Sequence, residues 1–513
     1  MMLFIRATSA IRAAYAAGRA RLRTCELIGS PSDNQRMSPD APQRETERRT
    51  AALLFDESEM PIPAAPREQA ETPKTGVVRV MAAQRDQIEL RACDLDSLLG
   101  GDHAARTVWA FVQSLDLAPL HARIKAVECA AGRPAIDPAI LVALWLWATV
   151  DGVGSAREID RLCERDDAYR WICGGVGVNY HTLADFRTQH VEWLDAQLTR
   201  SIASLLERKL VTLSIVSQDG MRVRASAKAA SFRRRGRLEK FMHEASAQVG
   251  ALKAELDEGA GAGTRRKQAA RERALREREE RIARALATMQ EIEALEPAKK
   301  DQKKINKQDS GPPSAGGKPP KAEAEPRVST TDPEARVMKM ADGGFRPAFN
   351  AQLAVDTATQ LIAGVDLVNI GSDMGQMVPM HEQIEQRYGH TPEYWLADGG
   401  YSKLQAIDEV AQRGTQPLMP PPRSRDPNVD PFAPKSTDSE NVAQWRTRMA
   451  SDQAKELYKQ RAATIECTNA QVRRRGLYQF LVRGRLKARG VLLWHALAHN
   501  LMRMRSLNIA FQF

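Results

Sequence analysis

The ten residues VTLSIVSQDG, Val211–Gly220, mark the point where the chain changes character. β-Branched residues crowd into a short run and Asp219–Gly220 follows as a polar turn pair, so the run reads as a strand ending at an acid. Before it, from Asp102 to about Lys209, apolar residues recur at helical spacing: Val108, Phe111, Val112 and Leu115, then Ile140, Leu141, Leu144 and Trp145, then Leu194, Leu198, Ile202 and Leu205. Gly132, Pro134, Gly152, Gly154 and Gly174–Gly177 punctuate them, which predicts an all-helical domain over residues 81–210. After it, Phe349–Asp356, Leu361–Val368 and Tyr394–Ala397 read as strands, with helical patterns at Lys403–Gln412 and from Glu440 onward. Strands interleaved with helices predict an α/β fold, a mixed sheet flanked by helices, over residues 211–513.

A stretch at about 230–330 interrupts that second domain. Leu238, Phe241, Ala245, Val249, Leu252 and Leu256 keep helical spacing, Gly259–Gly263 breaks it, and Leu275, Ile282 and Met289 recur every seven residues. The pattern predicts a charged helical hairpin, followed by a Pro/Gly/Lys linker at Ser310–Pro326. Residues 1–80 are Arg-rich at first and then crowded with Pro, Ser, Arg and Glu, the composition of a segment that cannot bury enough to fold. They read as a disordered leader or an over-extended gene start, with Met81 the natural beginning.

The formal charge of +11 is concentrated in two places. Lys228–Asp309 carries a net +7 and Arg461–Phe513 a net +9, so the remainder is slightly acidic. Localised basicity is what phosphate-backbone binding asks for. In the second region RRRGLYQFLVRGRLKARG groups Arg473, Arg474, Arg475, Arg483 and Arg485 around Tyr478 and Phe480, a basic stripe with aromatics on which bases or sugars could stack. A membrane partner is not expected, because the longest apolar run, Ala139–Val150, falls well short of the ~20 residues of a spanning helix. The six cysteines, Cys25, Cys93, Cys129, Cys163, Cys173 and Cys467, show no CxxC spacing, so neither a disulfide framework nor a zinc site is indicated and a reducing, cytoplasmic setting fits. His495 and His499 lie one helical turn apart among Trp494, Leu497 and Leu501 and read as core, and Gly174–Gly177 lacks the Lys-Ser/Thr of a phosphate loop.

Three acids stand out by context: Asp219 at the end of the first predicted strand, Asp398 after the fourth in YWLADGGYS, and Glu466 on a predicted helix in YKQRAATIECTNAQVRR. Taken singly, each has a bland reading as a turn or surface residue. Their order is what matters, since acids at the ends of neighbouring strands can converge and a helix crossing that edge can supply a third. Such oxygen donors suit Mg²⁺ or Mn²⁺, and two ions ~3.5–4 Å apart can activate a nucleophile and stabilise the leaving oxygen of a phosphodiester. On an α-helix Tyr458, Arg461, Glu466 and Arg473 would fall within an arc of roughly 140°.

The segments DGMRVRASA, TDPEARVMK, NAQLAVD and WLADGGYS, the spacing YxxRxxxxExxxxxxR from Tyr458 to Arg473, and HALAHNLMRM resemble the DDE transposases of bacterial insertion sequences. DHAARTVWAFVQSLDL through TLADFRTQH resembles the N-terminal domain that those proteins carry. The resemblance implies a ribonuclease-H-like catalytic domain, a metal-binding triad of Asp219, Asp398 and Glu466, and DNA contacts from Tyr458, Arg461 and Arg473. It also implies nicking at terminal inverted repeats followed by strand transfer into target DNA, which would associate the protein with the nucleoid; the missing phosphate loop predicts no ATP requirement. Two ends cut together would suit a homodimer on DNA. Cys467–Ala470 departs from the aromatic and glycine that follow the Glu in many relatives. A catalytically silent DNA-binding protein derived from a transposase is the alternative.

Overall fold

The computed structural model describes residues 94–126, 134–257, 262–308, 325–422 and 428–511. The predicted leader at 1–80 and most of the predicted linker at Ser310–Pro326 lie outside the described residues. From the N-terminal side the chain first forms helices α1 (Ala104–Gln113), α2 (Ala118–His121), α3 (Pro138–Asp151), α4 (Ala156–Arg165), α5 (Asp167–Cys173), α6 (Tyr180–Gln189) and α7 (Val191–Glu207). Their starts follow from side-chain acceptors for otherwise unpaired amides. Asp137 accepts from the Ala139 N–H at 2.8 Å just before Pro138, Asp166 from Ala168, and Asn179 from Thr182. Helix α3 is apolar on every side and almost wholly buried, and Gly152 ends it in a left-handed conformation. No single helix among the described residues is long and apolar enough to cross a membrane.

The sheet domain follows with β1 (Ile215–Arg224), the short β2 (Phe232–Arg233), two long helices α8 (Arg235–Asp257) and α9 (Ala262–Gln308), and β3 (Val328–Ser329). Then come β4 (Arg336–Lys339), β5 (Phe345–Asp356), β6 (Ile362–Val368), α10 (Met377–Tyr388), β7 (Tyr394–Leu396), α11 (Leu404–Gln412) and β8 (Gln416–Leu418). The chain closes with α12 (Glu440–Ala450), α13 (Asp452–Arg461), a π-helical turn (Ala462–Glu466), α14 (Cys467–Arg474) and α15 (Arg485–Ser506). Strand β1 is central, antiparallel to β5 on one side and parallel to β7 on the other, with β8 parallel beyond β7. Strands β4 and β6 both run antiparallel to β5 on its far side, one along each half. This is a ribonuclease-H-like mixed sheet, and one continuous buried cluster runs from Leu99 to Met504 through helices and sheet alike.

One sequence expectation is corrected here. The first strand begins at Ile215, not Val211, and continues through Asp219–Gly220 to Arg224, so this Asp-Gly pair is not a turn. Gly220 serves a different need: a Cβ there would lie 2.0 Å from Oδ1 of Asp373, which packs against the strand.

Helix α15 lies against α3, α7 and β6. Asn500 explains part of the HALAHNLMRM motif: its Oδ1 accepts from the Ile362 N–H and its Nδ2 donates to the Ile362 C=O, both at 2.8 Å, pairing with β6 as another strand would. His495 and His499 on the same helix are buried, and burial pushes their imidazoles down to about 3 and about 4.

Between β1 and the rest of the sheet, β2 and β3 pair as the base of the inserted hairpin. Leu238, Ala285, Met289 and Val328 form its own small core, with Ile282 also buried. The outer face of α9 carries Arg–Glu pairs four residues apart, such as Arg284 with Glu280 at 3.2 Å.

Candidate active site

The parallel register between β1 and β7 places two of the predicted acids. The pairing ends at Ser217 and Leu396; two residues beyond, Asp219 and Asp398 line the same cleft, close enough for the charge of one to act on the other. Asp398 ends the strand in a 3-10 turn, where its Oδ1 accepts the Gly400 N–H at 2.8 Å. The bland reading of an Asp-Gly turn therefore holds for Asp398 at the backbone level, while its position at the sheet edge gives it a second role to play.

The helical acid arrives by a different device. In an α-helix residues five apart are rotated by about 140° from one another, so Arg461 and Glu466 would diverge. The chain instead makes a π-helical turn over Ala462–Glu466, whose wider winding brings residues five apart onto one face. Arg461 Nη1 donates to Glu466 Oε1 at 2.9 Å as a result. The expected uninterrupted α-helical arc is thus corrected by one extra residue absorbed in a bulge. Thr464 Oγ1 sits 2.8 Å from the Gln460 carbonyl and 3.3 Å from the Ser217 hydroxyl, fastening the turn to β1.

Arg461 reaches both acids. Its Nη2 donates to Asp219 Oδ1 at 3.2 Å, and Asn469 Nδ2 donates to Asp219 Oδ2 at 2.8 Å. Burial pushes the Asp219 carboxyl up to about 6, with Arg461 opposing the rise and Asp398 adding to it. Asp219, Asp398 and Glu466 line one open cleft of about 650 Å³. Arg461, Arg473 and the exposed Tyr478 line it as well, and Tyr458 is half-buried close by. Burial raises the Tyr458 hydroxyl, Arg461 opposing, with the charges of Asp398, Glu466 and Asp219 adding to it.

Other predicted contacts are elsewhere. Arg474 is exposed at the end of α14. Arg475 turns towards the N-terminal helices, its Nη1 lying 3.4 Å from His499 Nδ1. Arg483 lines a cavity beside the inserted hairpin, and Arg485 sits at Glu334, which accepts its backbone N–H at 2.8 Å. Phe480 is corrected as a stacking platform: it is fully buried, edge-on to Phe349 at 6.1 Å, where the chain runs beside the end of β1, while Tyr478 stays exposed.

Sequence reasoning missed a fourth carboxylate. Asp373, from the loop before α10, lines the same cleft; its Oδ1 accepts from Asn350 at 2.7 Å and Gln352 at 2.8 Å, and its Oδ2 accepts from Arg222 at 3.1 Å. Gln352 is a hub, accepting from Gln218 at 3.0 Å and from the Tyr401 hydroxyl at 2.6 Å. Gln218 in turn accepts from the Trp395 indole at 3.1 Å. This buried network ties the residue before Asp219 to the turn after Asp398, and satisfied networks of this kind hold one geometry. Burial, then the charges of Asp373, Asp219 and Asp398, raise the Tyr401 hydroxyl well above its usual range. Arg224 adds positive charge to the cleft, while Arg222 and Arg346 line it paired with Asp373 and Asp342. The alternation in GMRVRAS was the available signal for the first two, since polar residues every second position mark an open strand face.

Among the described residues no three His, Cys, Asp or Glu side chains stand close enough together to hold an ion as they are. Arg461 lies between Asp219 and Glu466, paired with both. The donor chemistry nevertheless fits a hard divalent cation: all-oxygen donors, with Asp219 and Asp398 repelling one another.

The fold and the cleft together define a ribonuclease-H-like centre. Residues 321–501 match the family model of the transposase DDE domain, and residues 94–189 match that of a transposase domain (DUF772). The chain belongs to the DDE-type transposases of insertion sequences. Asp398 and Glu466 fall inside the first match, whereas Asp219 precedes it, separated by the inserted hairpin. No curated protein and no solved structure matches the chain significantly.

Proposed function

We propose that this transposase cleaves phosphodiesters at insertion-sequence ends and joins the freed 3′ ends to target DNA, using Asp219, Asp398 and Glu466. The observation that carries this reading is that Asp219 on β1 and Asp398 just past the end of the neighbouring parallel strand β7 line one cleft with Glu466. Asp219 and Asp398 would hold Mg²⁺ or Mn²⁺, with Glu466 completing the set once Arg461 is drawn to phosphate. The ions would supply Lewis-acid activation of the attacking oxygen and charge relief for the leaving one.

The chain's own residues do the rest. Arg461, bridging Asp219 and Glu466, holds the acid pair apart and keeps it compensated before DNA arrives. Arg224, Arg473 and Tyr458 surround the cleft where a phosphate backbone would run, with Tyr478 as the exposed ring for a base or sugar. Arg474, Arg475, Arg483 and Arg485 extend the basic stripe beyond it. The N-terminal helices would read the terminal inverted repeats, and two copies on paired ends would form the working complex.

Incubation of the full chain with a duplex carrying the element's ends and MgCl₂ or MnCl₂ tests the reading. End-specific nicks leaving 3′ hydroxyls, abolished by chelation, are expected. DNA binding without any nick would favour the catalytically silent alternative.

A further inference from the structure

The inserted hairpin leaves an unexplained feature at its base. Arg278 and Arg281 of α9 meet Arg483 from the basic stripe around a cavity of about 300 Å³ that Thr330, Thr331 and Phe241 also line. No carboxylate among the described residues lines it. Two further guanidiniums stand over the Phe241 ring, Arg237 at 4.9 Å and Arg233 at 6.0 Å from its centroid. Five like charges gathered around one small hollow repel one another, and the protein compensates them only in part: Arg281 lies 3.7 Å from Glu277, and Arg278 donates to the Gln248 amide at 3.1 Å. The neighbouring cavity on the other side of Arg281 and Arg483 is different, since Glu277, Glu280, Glu291 and Glu334 balance its basic groups. The excess positive charge is therefore confined to the Phe241 side.

We propose that this hollow is a second phosphate-binding site for duplex DNA, at which the insertion and the C-terminal basic stripe grip one stretch of backbone together. This rests on the DNA-acting reading above and gives the insertion a role in it. Guanidiniums in a fork geometry match phosphate oxygens two at a time, and a threonine hydroxyl adds a neutral donor. The site suits phosphate more than bases, because guanidiniums and threonine hydroxyls make up most of its lining and Phe241, its one aromatic ring, already has Arg237 over it. The scaffold is independent of the catalytic cleft: Leu238, Ala285, Met289 and Val328 pack beneath it.

The test compares the full-length chain with the double variant Arg278→Gln/Arg281→Gln, and with a cleft variant, Arg224→Gln/Arg473→Gln, by titrating a duplex at several salt concentrations. Neutralising two phosphate contacts flattens the log–log salt dependence by about 1.8. The hairpin variant is expected to show that change, with at least tenfold weaker binding at low salt and an unaltered circular dichroism spectrum and melting temperature. A hairpin variant that matches wild type while the cleft variant is weakened would overturn the second site and leave the transposase reading standing. Absence of DNA binding by the wild type itself would overturn both.

Discussion

The two strand acids and the helical acid of the cleft are held in contrasting ways. Asp219 and Asp398 follow the paired ends of β1 and β7 and are braced by a buried network running from Trp395 through Gln218 and Gln352 to Asp373 and Tyr401. Glu466 is set by a π-helical turn and an ion pair, and its side chain is 56% exposed. One half of the site is built into the core, where rearrangement would unpair several buried groups. The other half is adjustable, because the Glu466 carboxylate is mostly exposed and its contact with Arg461 can open into water at modest cost, whereas the Arg461–Asp219 contact is largely buried.

That contrast can be broken by substitution. Asp219→Asn or Asp398→Asn should reduce end cleavage by about 10³-fold, equivalent to roughly 4 kcal/mol of barrier, whereas Glu466→Asp should cost only about tenfold. Equal losses in a single-turnover cleavage assay would remove the distinction. The two Asp-Gly pairs sharpen it further. A Cβ at Gly220 meets Asp373 at 2.0 Å, while one at Gly399 meets Pro420 at ordinary contact distances, Cγ at 3.6 Å and the carbonyl O at 3.7 Å. Gly220→Ala is expected to destabilise by about 3 kcal/mol and Gly399→Ala by less than about 1 kcal/mol, as read from denaturant unfolding. Gln352→Leu leaves Asp373, Tyr401 and Gln218 each short of a partner, for an expected loss of about 2 kcal/mol and a measurable fall in cleavage with DNA affinity retained.

A separate effect is one of pH. His495 and His499 titrate at about 3 and about 4 when folded, against ~6.5 unfolded, so the unfolded chain binds more protons between those values. Stability is therefore full above pH ~6.5 and declines as the pH falls towards 4. His499→Gln should flatten that decline; an unchanged acid limb would assign it to other groups.

Much of this site was legible in the chain. Asp219, Asp398 and Glu466 stood out by their order relative to strands and a helix, and all three line one cleft, Glu466 by way of the π-helical turn. Local patterning also carried the helices of the N-terminal region and the hairpin, where apolar spacing and Asp137-Pro138 or Asn179 starts agree with the fold. The remainder was hidden for physical reasons. Asp373 lies in a loop without periodicity and acquires meaning only when Gly220 lets it approach β1. The extra residue between Arg461 and Glu466 looks neutral in an α-helical projection and shows its effect only as a π turn. Phe480 has the sequence neighbours of a DNA-stacking ring, yet its burial is decided by a bridge to a strand more than two hundred residues away.

The central claim is that the strand acids form a divalent-cation site that Arg461 keeps compensated. Mn²⁺ titration of the full chain by calorimetry tests it directly, with Asp398→Asn and Arg461→Gln alongside the wild type. Binding that disappears in Asp398→Asn and tightens in Arg461→Gln is the predicted result. Equal Mn²⁺ affinity in wild type and Asp398→Asn would contradict it.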